Sequence, residues 1–336
     1  MSAERRVHAR PYLFELVVIA NIAVLAIVAR SHSLQFFGML PDVFLSVALS
    51  SVLCAAAGTA IRAAVAAYRG EWRQYRAVIG SVGWITDTVR IVIGEVLLTQ
   101  VYGWIKLVVP IFQPRLFDSE LWEIDRAIGF GLSPNVFVLT LFSSSRFLRF
   151  IDWAYANIFL VTILVAFGYF MSAPSRRLRV AFMTSNVVMW IAGVYLYVLV
   201  PSLGPAYRFP EVWLEYSKQL TTTQRLQTIL MRNYTNVLAM SRGDDKPVSI
   251  LFGIAAFPSL HVGWQALVAL WMRRQWIYGE ILFWIFLFVI FIGSMITGWH
   301  YLIDSIAGVA RAIGSFYAVA TPCRLRRWQT LRDLRH

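Results

Sequence analysis

Eight stretches of this chain are apolar over most of the length of a bilayer crossing, more than the core of a soluble domain can take in. They run about 12–29, 42–60, 91–112, 147–170, 180–200, 256–272, 277–297 and 300–320. A crossing takes about 20 apolar residues, and lipid satisfies no unpaired backbone group, so each stretch has to close its hydrogen bonds internally as a helix. The expected fold class is therefore all-α, a polytopic membrane protein of about eight transmembrane helices. Composition agrees: the chain is 58% hydrophobic and 15% aromatic, with a mean hydropathy of +0.61. The sixth stretch is short and opens at Pro258, which places its first residues at or just below the interface.

A net charge of +13 raises the question of nucleic acid, but the distribution answers it. The basic residues cluster at Arg5/Arg6/Arg10, Arg62/Arg69/Arg73/Arg76, Arg176/Arg177/Arg179, Arg273/Arg274 and Arg324/Arg326/Arg327, each after an even number of crossings. That is the pattern that orients membrane proteins, with the clusters cytoplasmic, so no nucleic-acid partner is expected. Arg146 and Arg149 run against it. The connections near 31–41, 113–146, 201–255 and 298–299 then face outward. Loop 201–255 mixes Trp213, Tyr216 and Leu220 with Arg208, Lys218, Arg225, Arg232 and Lys246, a composition suited to lying on a membrane surface. Residues 118–135 read as a shorter interfacial segment. The basic start is followed by a long apolar run with no small-residue cleavage site, which fits a retained anchor. The expected location is the plasma membrane, the inner one in a bacterial cell. Cys54 and Cys323 suggest neither a disulfide framework nor a metal cluster.

The five histidines are placed unevenly. His8, His32 and His336 lie in or near terminal segments, which leaves His261 and His300 in the apolar interior, where an ionisable group needs a cause. They stand in Phe257-Pro-Ser-Leu-His261-Val-Gly and Gly298-Trp-His300-Tyr-Leu-Ile-Asp304, both at outward-facing ends of their stretches. His300 and Asp304, at i and i+4, share a helical face, so the carboxylate can fix the imidazole's tautomer. Such a pair suits phosphoryl transfer: His300 as nucleophile, Asp304 orienting it, His261 as the acid that protonates the leaving alkoxide. Ser259 and the free N–H groups opening the sixth helix suit a phosphate, although Ser259 serves equally as a helix cap. Arg208, in Gly204-Pro-Ala-Tyr-Arg208-Phe-Pro210, is the best-placed cation for the same phosphate.

These residues carry a resemblance. Pro258-Ser-Leu-His261 resembles the Pro-Ser-Gly-His motif of the type 2 phosphatidic acid phosphatase superfamily, and His300-Tyr-Leu-Ile-Asp304 its closing His-x-x-x-Asp motif. The resemblance implies a general-acid His261, a phosphohistidine at His300 and an orienting Asp304, over the six stretches from about 91 to 320. The hydrolases of that family carry Ser-Arg where this chain has Gly293-Ser294, and their Lys-x6-Arg-Pro motif is not in the loop after the fifth stretch. Lys106 with Gln113-Pro114 copies that spacing two stretches too early and is set aside as coincidence, with Arg208-Phe-Pro210 taken as the weak counterpart. The forms Phe-Pro-Ser-Leu-His and Gly-Trp-His-Tyr-Leu-Ile-Asp are similar to the inositol phosphorylceramide synthase branch. Membership there implies a sphingolipid-pathway inositolphosphotransferase that moves a phosphorylated headgroup from a phospholipid donor to a lipid alcohol, with water as acceptor in the phosphatase alternative.

The expected organisation is a two-helix membrane addition at 1–75, a six-helix catalytic core at 76–322 containing loop 201–255, and a basic cytoplasmic tail at 323–336. No cofactor is expected, and no metal: a zinc hydrolase needs about three protein ligands and only His32 could supply the third. A transporter would account for buried charges but no internal repeat is visible.

Overall fold

The computed structural model describes residues 10–31, 40–244 and 246–321, and among them every regular element is a helix. Seven helices are long and apolar enough to cross a membrane: α1 (Leu13–Ser31), α2 (Pro41–Tyr68), α4 (Val82–Phe112), α7 (Ser145–Met171), α8 (Arg176–Leu199), α13 (Ile277–Ile296) and α14 (Leu302–Ala320). The eighth expected stretch is the shorter helix α12 (Leu260–Met272). The remainder are the short α3 (Trp72–Ile79), α5 (Asp118–Ile128), α6 (Pro134–Leu141), α9 (Pro205–Arg208) and α10 (Glu211–Leu214), and the longer α11 (Thr221–Met240). His8, His32, His336, Cys323 and the basic clusters near both termini, apart from Arg10, lie outside the described residues.

The short helix is the centre of the bundle. Its 13 residues rise about 20 Å against a hydrocarbon core of about 30 Å, yet every residue except His261 is buried. α7, α8, α13 and α14 surround it, so it meets protein rather than lipid and needs no full crossing length. Gly263 and Gly308 let it close on α14: a Cβ on Gly308 would stand 2.2 Å from the Ser259 carbonyl oxygen. Trp271 anchors the far end, donating to Ser185 Oγ at 2.7 Å.

Polar interior groups pair as a low-dielectric bundle requires. Arg90 bonds Glu15 at 2.5 Å, Arg176 lies 3.2 Å from Asp87, and Asp152 accepts from the backbone N–H groups of Thr222 and Thr223, capping α11. α2 is the least embedded of the long helices, touching α7 through Gly58 and Gly168 and α4 along part of its length.

Two expectations change. In loop 201–255, Trp213 and Leu220, expected at a membrane surface, are instead buried against Val138, Leu139, Leu148 and Ile296, with Trp213 Nε1 donating to Ile296 O at 2.8 Å. The loop caps the end of the bundle, α11 packing on α4 and α7. Residues 118–135 likewise do more than lie at an interface, since Asp118, Asp125 and Asn135 are buried. Surface binding and intramolecular packing ask for the same mixed composition, and only the tertiary partners tell them apart.

Candidate active site

Two chain reversals bring the motifs together. The peptide Phe257–Pro258 is cis, and Ser259 then caps α12, its Oγ accepting from Val262 N at 3.4 Å while its own N–H donates to Asp304 O at 2.9 Å. On the other side α13 ends at Ile296, and Gly298 turns the chain with φ +71°, where a Cβ would strike Ala206 and the Trp213 ring. The N–H groups of Trp299 and His300 both fold back onto Ser294 O. α14 opens in a capping box, Tyr301 N donating to Asp304 Oδ2 at 2.9 Å. His261 at the head of one helix thus comes beside His300 at the head of the next, their ring centroids 6.0 Å apart.

His300 has a determined orientation. Its Nδ1 sits 2.9 Å from Ala256 O and 3.4 Å from Asp304 Oδ2, and both are acceptors, which assigns the proton to Nδ1 and leaves the Nε2 lone pair free. Burial holds this imidazole well below its ordinary range, at about 3, although the Ala256 carbonyl works the other way. The ring is therefore neutral. Its backbone is fixed as well, His300 O accepting from Asn135 Nδ2 at 2.9 Å. His261 is held by ring contacts, 4.2 Å from Phe159 and 5.7 Å from Tyr155 between centroids. Asp304 Oδ1 has no partner among the described residues, and neither has the buried Tyr155 Oη.

The candidates from sequence are placed unequally. His261, His300 and Asp304 converge, and Ser259 is buried next to them as a cap. Arg208 is exposed and bonds Ser119 Oγ at 3.3 Å, with its guanidinium over the Phe209 ring at 5.6 Å, and none of its hydrogen bonds among the described residues goes to the histidine pair. The cation whose field acts on both imidazoles is instead Lys106 of α4, the residue whose motif-like spacing reads as coincidence in the sequence. Tyr197 of α8 is buried on the same side of the site, with the Lys106 ammonium 5.5 Å from its ring centre.

A second set holds the His300 turn from behind. Asp118 Oδ1 accepts from Gly204 N at 2.8 Å and from the Tyr301 hydroxyl at 2.9 Å. Asp125 accepts from Leu302 N at 2.6 Å and Ile303 N at 2.9 Å, capping α14 from outside its own chain segment. Burial raises both carboxyls, Asp125 to about 6, with Asp304 adding to its rise. Among the described residues no three His, Cys, Asp or Glu side chains gather as a metal site would require.

A family model described as the PAP2 superfamily matches residues 119–318, well over half of the chain. Neither the curated proteins nor the solved structures contain a match.

Proposed function

Because the chain belongs to the PAP2 superfamily, the type 2 phosphatidic acid phosphatases, and is an integral membrane phosphatase or phosphotransferase, we propose that it moves an inositol-phosphate-like headgroup between lipids through a phosphohistidine. The observation that carries this reading is the pinned Nδ1 of His300, which directs a free Nε2 lone pair into the space beside His261. In the first step Nε2 attacks phosphorus, the N–P bond forms, and the ester bond to the donor's diacylglycerol breaks. His261, in its imidazolium form, gives the leaving alkoxide its proton; the arriving phosphodiester supplies the anion that favours that form. In the second step neutral His261 takes the proton of a lipid alcohol, whose oxygen attacks phosphorus as the N–P bond breaks. Lys106 and the unpartnered hydroxyl of Tyr155 are placed to offset phosphate charge. Asp304 and the Ala256 carbonyl both stabilise the Nδ1 proton while His300 carries the phosphoryl group.

Two features favour transfer over hydrolysis. The site lies beneath the cap of loop 201–255 and His300 is buried, an arrangement suited to limiting the access of bulk water to a phosphohistidine. Ser294, where the family's hydrolases carry arginine, is fully buried with its hydroxyl on Phe291 O at 2.7 Å, so this position supplies no cation to the phosphate. The reading also puts the site on the non-cytoplasmic face. Reconstituted protein given phosphatidylinositol and a lipid alcohol should place the headgroup phosphate on the acceptor, with little free phosphate. Release of inorganic phosphate from phosphatidate or a polyprenyl pyrophosphate, equally fast without acceptor, would replace it by the phosphatase alternative.

A further inference from the structure

Outside the family match, α2 and α4 do more than enlarge the bundle: with α7 and α8 they enclose a cavity of about 410 Å³. That volume is within the roughly 300–1,000 Å³ of small-molecule pockets. Its walls are Val47, Ser50 and Cys54 of α2, Leu98, Thr99 and Gly103 of α4, and Leu160, Leu164 and Phe167 of α7. Four observations bear on its occupant. The first is direction: Leu160 and Leu164 are 57% and 37% exposed and Ser50 is exposed, so the cavity opens sideways between α2 and α7, toward lipid, while Ile250 and Leu251 of loop 201–255 line its outer end. The second is its head, formed by Lys106 and Tyr102. The Lys106 ammonium lies 5.5 Å from the Tyr197 ring centre and the Tyr102 ring 6.3 Å from the same ring, so the cavity and the catalytic side of the bundle share the Tyr197 wall.

The third is length. From Lys106 the lining runs down α4 to Glu95, eleven residues or roughly 16 Å of helix, which is half the about 30 Å hydrocarbon core and so the depth of one leaflet. The fourth is the floor. Glu95 Oε2 accepts from Asn186 Nδ2 at 3.1 Å, and Asn186 Oδ1 accepts from Trp190 Nε1 at 3.0 Å, a polar knot at which an alkyl chain has to stop. An apolar tube of leaflet length, open to the bilayer and headed by a cation, has the chemistry of a phosphorylated lipid.

We propose that this chamber seats one hydrocarbon chain of the phospholipid donor, which slides in between α2 and α7 from the leaflet that holds the histidines, its phosphate arriving at Lys106. The proposal rests on the phosphotransfer reading for the identity of the headgroup, and makes α2 a wall of the substrate site rather than an appendage. A bulky residue in the wall should discriminate by chain length. For Ser50→Trp and Leu164→Trp, the KM for dioleoyl phosphatidylinositol divided by that for the dihexanoyl lipid should rise at least tenfold. Val52→Trp, on the opposite, 52% exposed face of α2, should leave that ratio as it is. An equal response of both lipids in the wall variants, or none, overturns the chamber.

Binding is read separately from turnover in catalytically dead protein. Phosphatidylinositol with a diazirine at the chain end should label peptides 46–54 and 160–167 of His300→Ala, and Ser50→Trp should remove the label. Label there without turnover in the unmodified protein would discard the phosphotransfer reading and keep the chamber. Label elsewhere would discard the chamber whatever the turnover.

Discussion

At the scale of single residues the site separates a nucleophile from the groups that aim it. His300 touches no other charge as closely as it touches a carbonyl: Ala256 O at 2.9 Å is nearer than Asp304 at 3.4 Å. Two acceptors on one nitrogen make the tautomer robust to loss of either. His300→Ala should abolish both the trapped phosphoenzyme and turnover, whereas Asp304→Asn should keep a measurable phosphohistidine with turnover lowered on the order of 10²-fold; a phosphohistidine trapped at His261 would reverse the assignment. His261→Ala should cost about 10²–10⁴-fold, the usual worth of a general acid, and less with an activated aryl phosphodiester that needs no proton to leave. That difference between substrates is the check, since a merely structural histidine would slow both alike. These three residues were legible because motif spacing is local: His300 and Asp304, four positions apart, do meet at 3.4 Å, although not on one helical face as expected, since α14 begins only at Leu302 and His300 stands in the turn before it. Lys106 was not, because what makes it relevant is the packing of α4 against the helix heads, which its own neighbours in sequence do not encode.

At the scale of elements, α5 works as a clamp on the head of α14. Asp125 spends both oxygens on the N–H groups of Leu302 and Ile303, two of the orphan donors every helix start leaves. Protonation takes one acceptor position away, so kcat/KM should fall as pH drops through about 6, the value to which burial raises this carboxyl. Stability should move the other way. The folded-state pKa lies above the unfolded value of about 3.9, so the folded protein binds the proton more tightly; the resulting stabilisation is complete below the unfolded value and lost as pH rises through about 6. Activity that declines on acidification while the Tm of the purified protein holds or rises is the expected signature. Asp125→Asn should remove that acid limb and cost on the order of ten- to a hundredfold in kcat/KM, the scale of one unsatisfied buried donor. A pH profile unchanged in the variant would take the clamp out of catalysis. The sequence hid this element because Asp118, Asp125 and Asn135 stand in a charged stretch between apolar runs, where burial is the less expected state. The same ambiguity turned Trp213 and Leu220, packed on the bundle end, into an expected membrane-surface segment.

At the scale of the molecule, the apolar pattern gave seven of the eight crossings as full-length helices, and the short eighth became intelligible only once it was surrounded: a helix walled by α7, α8, α13 and α14 has no lipid to match in length. Orientation follows from which ends carry the arginines. Arg62 donates to Tyr169 O and Ser172 Oγ, Arg176 and Arg177 start α8, and Arg273 ends α12, all at the end of the bundle away from His261 and His300. On the positive-inside rule the proposed topology puts that end in the cytoplasm and the histidines, with the cap of loop 201–255, on the other face, against the basic residues Arg146 and Arg149. In a background lacking Cys54 and Cys323, single cysteines at Lys218 in the cap and Arg177 at the start of α8, both exposed, should react with an impermeant maleimide from opposite sides of sealed vesicles. Lys218→Cys should label in intact cells and Arg177→Cys only after permeabilisation. Labelling of both from one side would mean that the chain between them crosses an even number of times, which contradicts a spanning α8, and Lys218→Cys labelling only after permeabilisation would move the histidine pair to the cytoplasmic face.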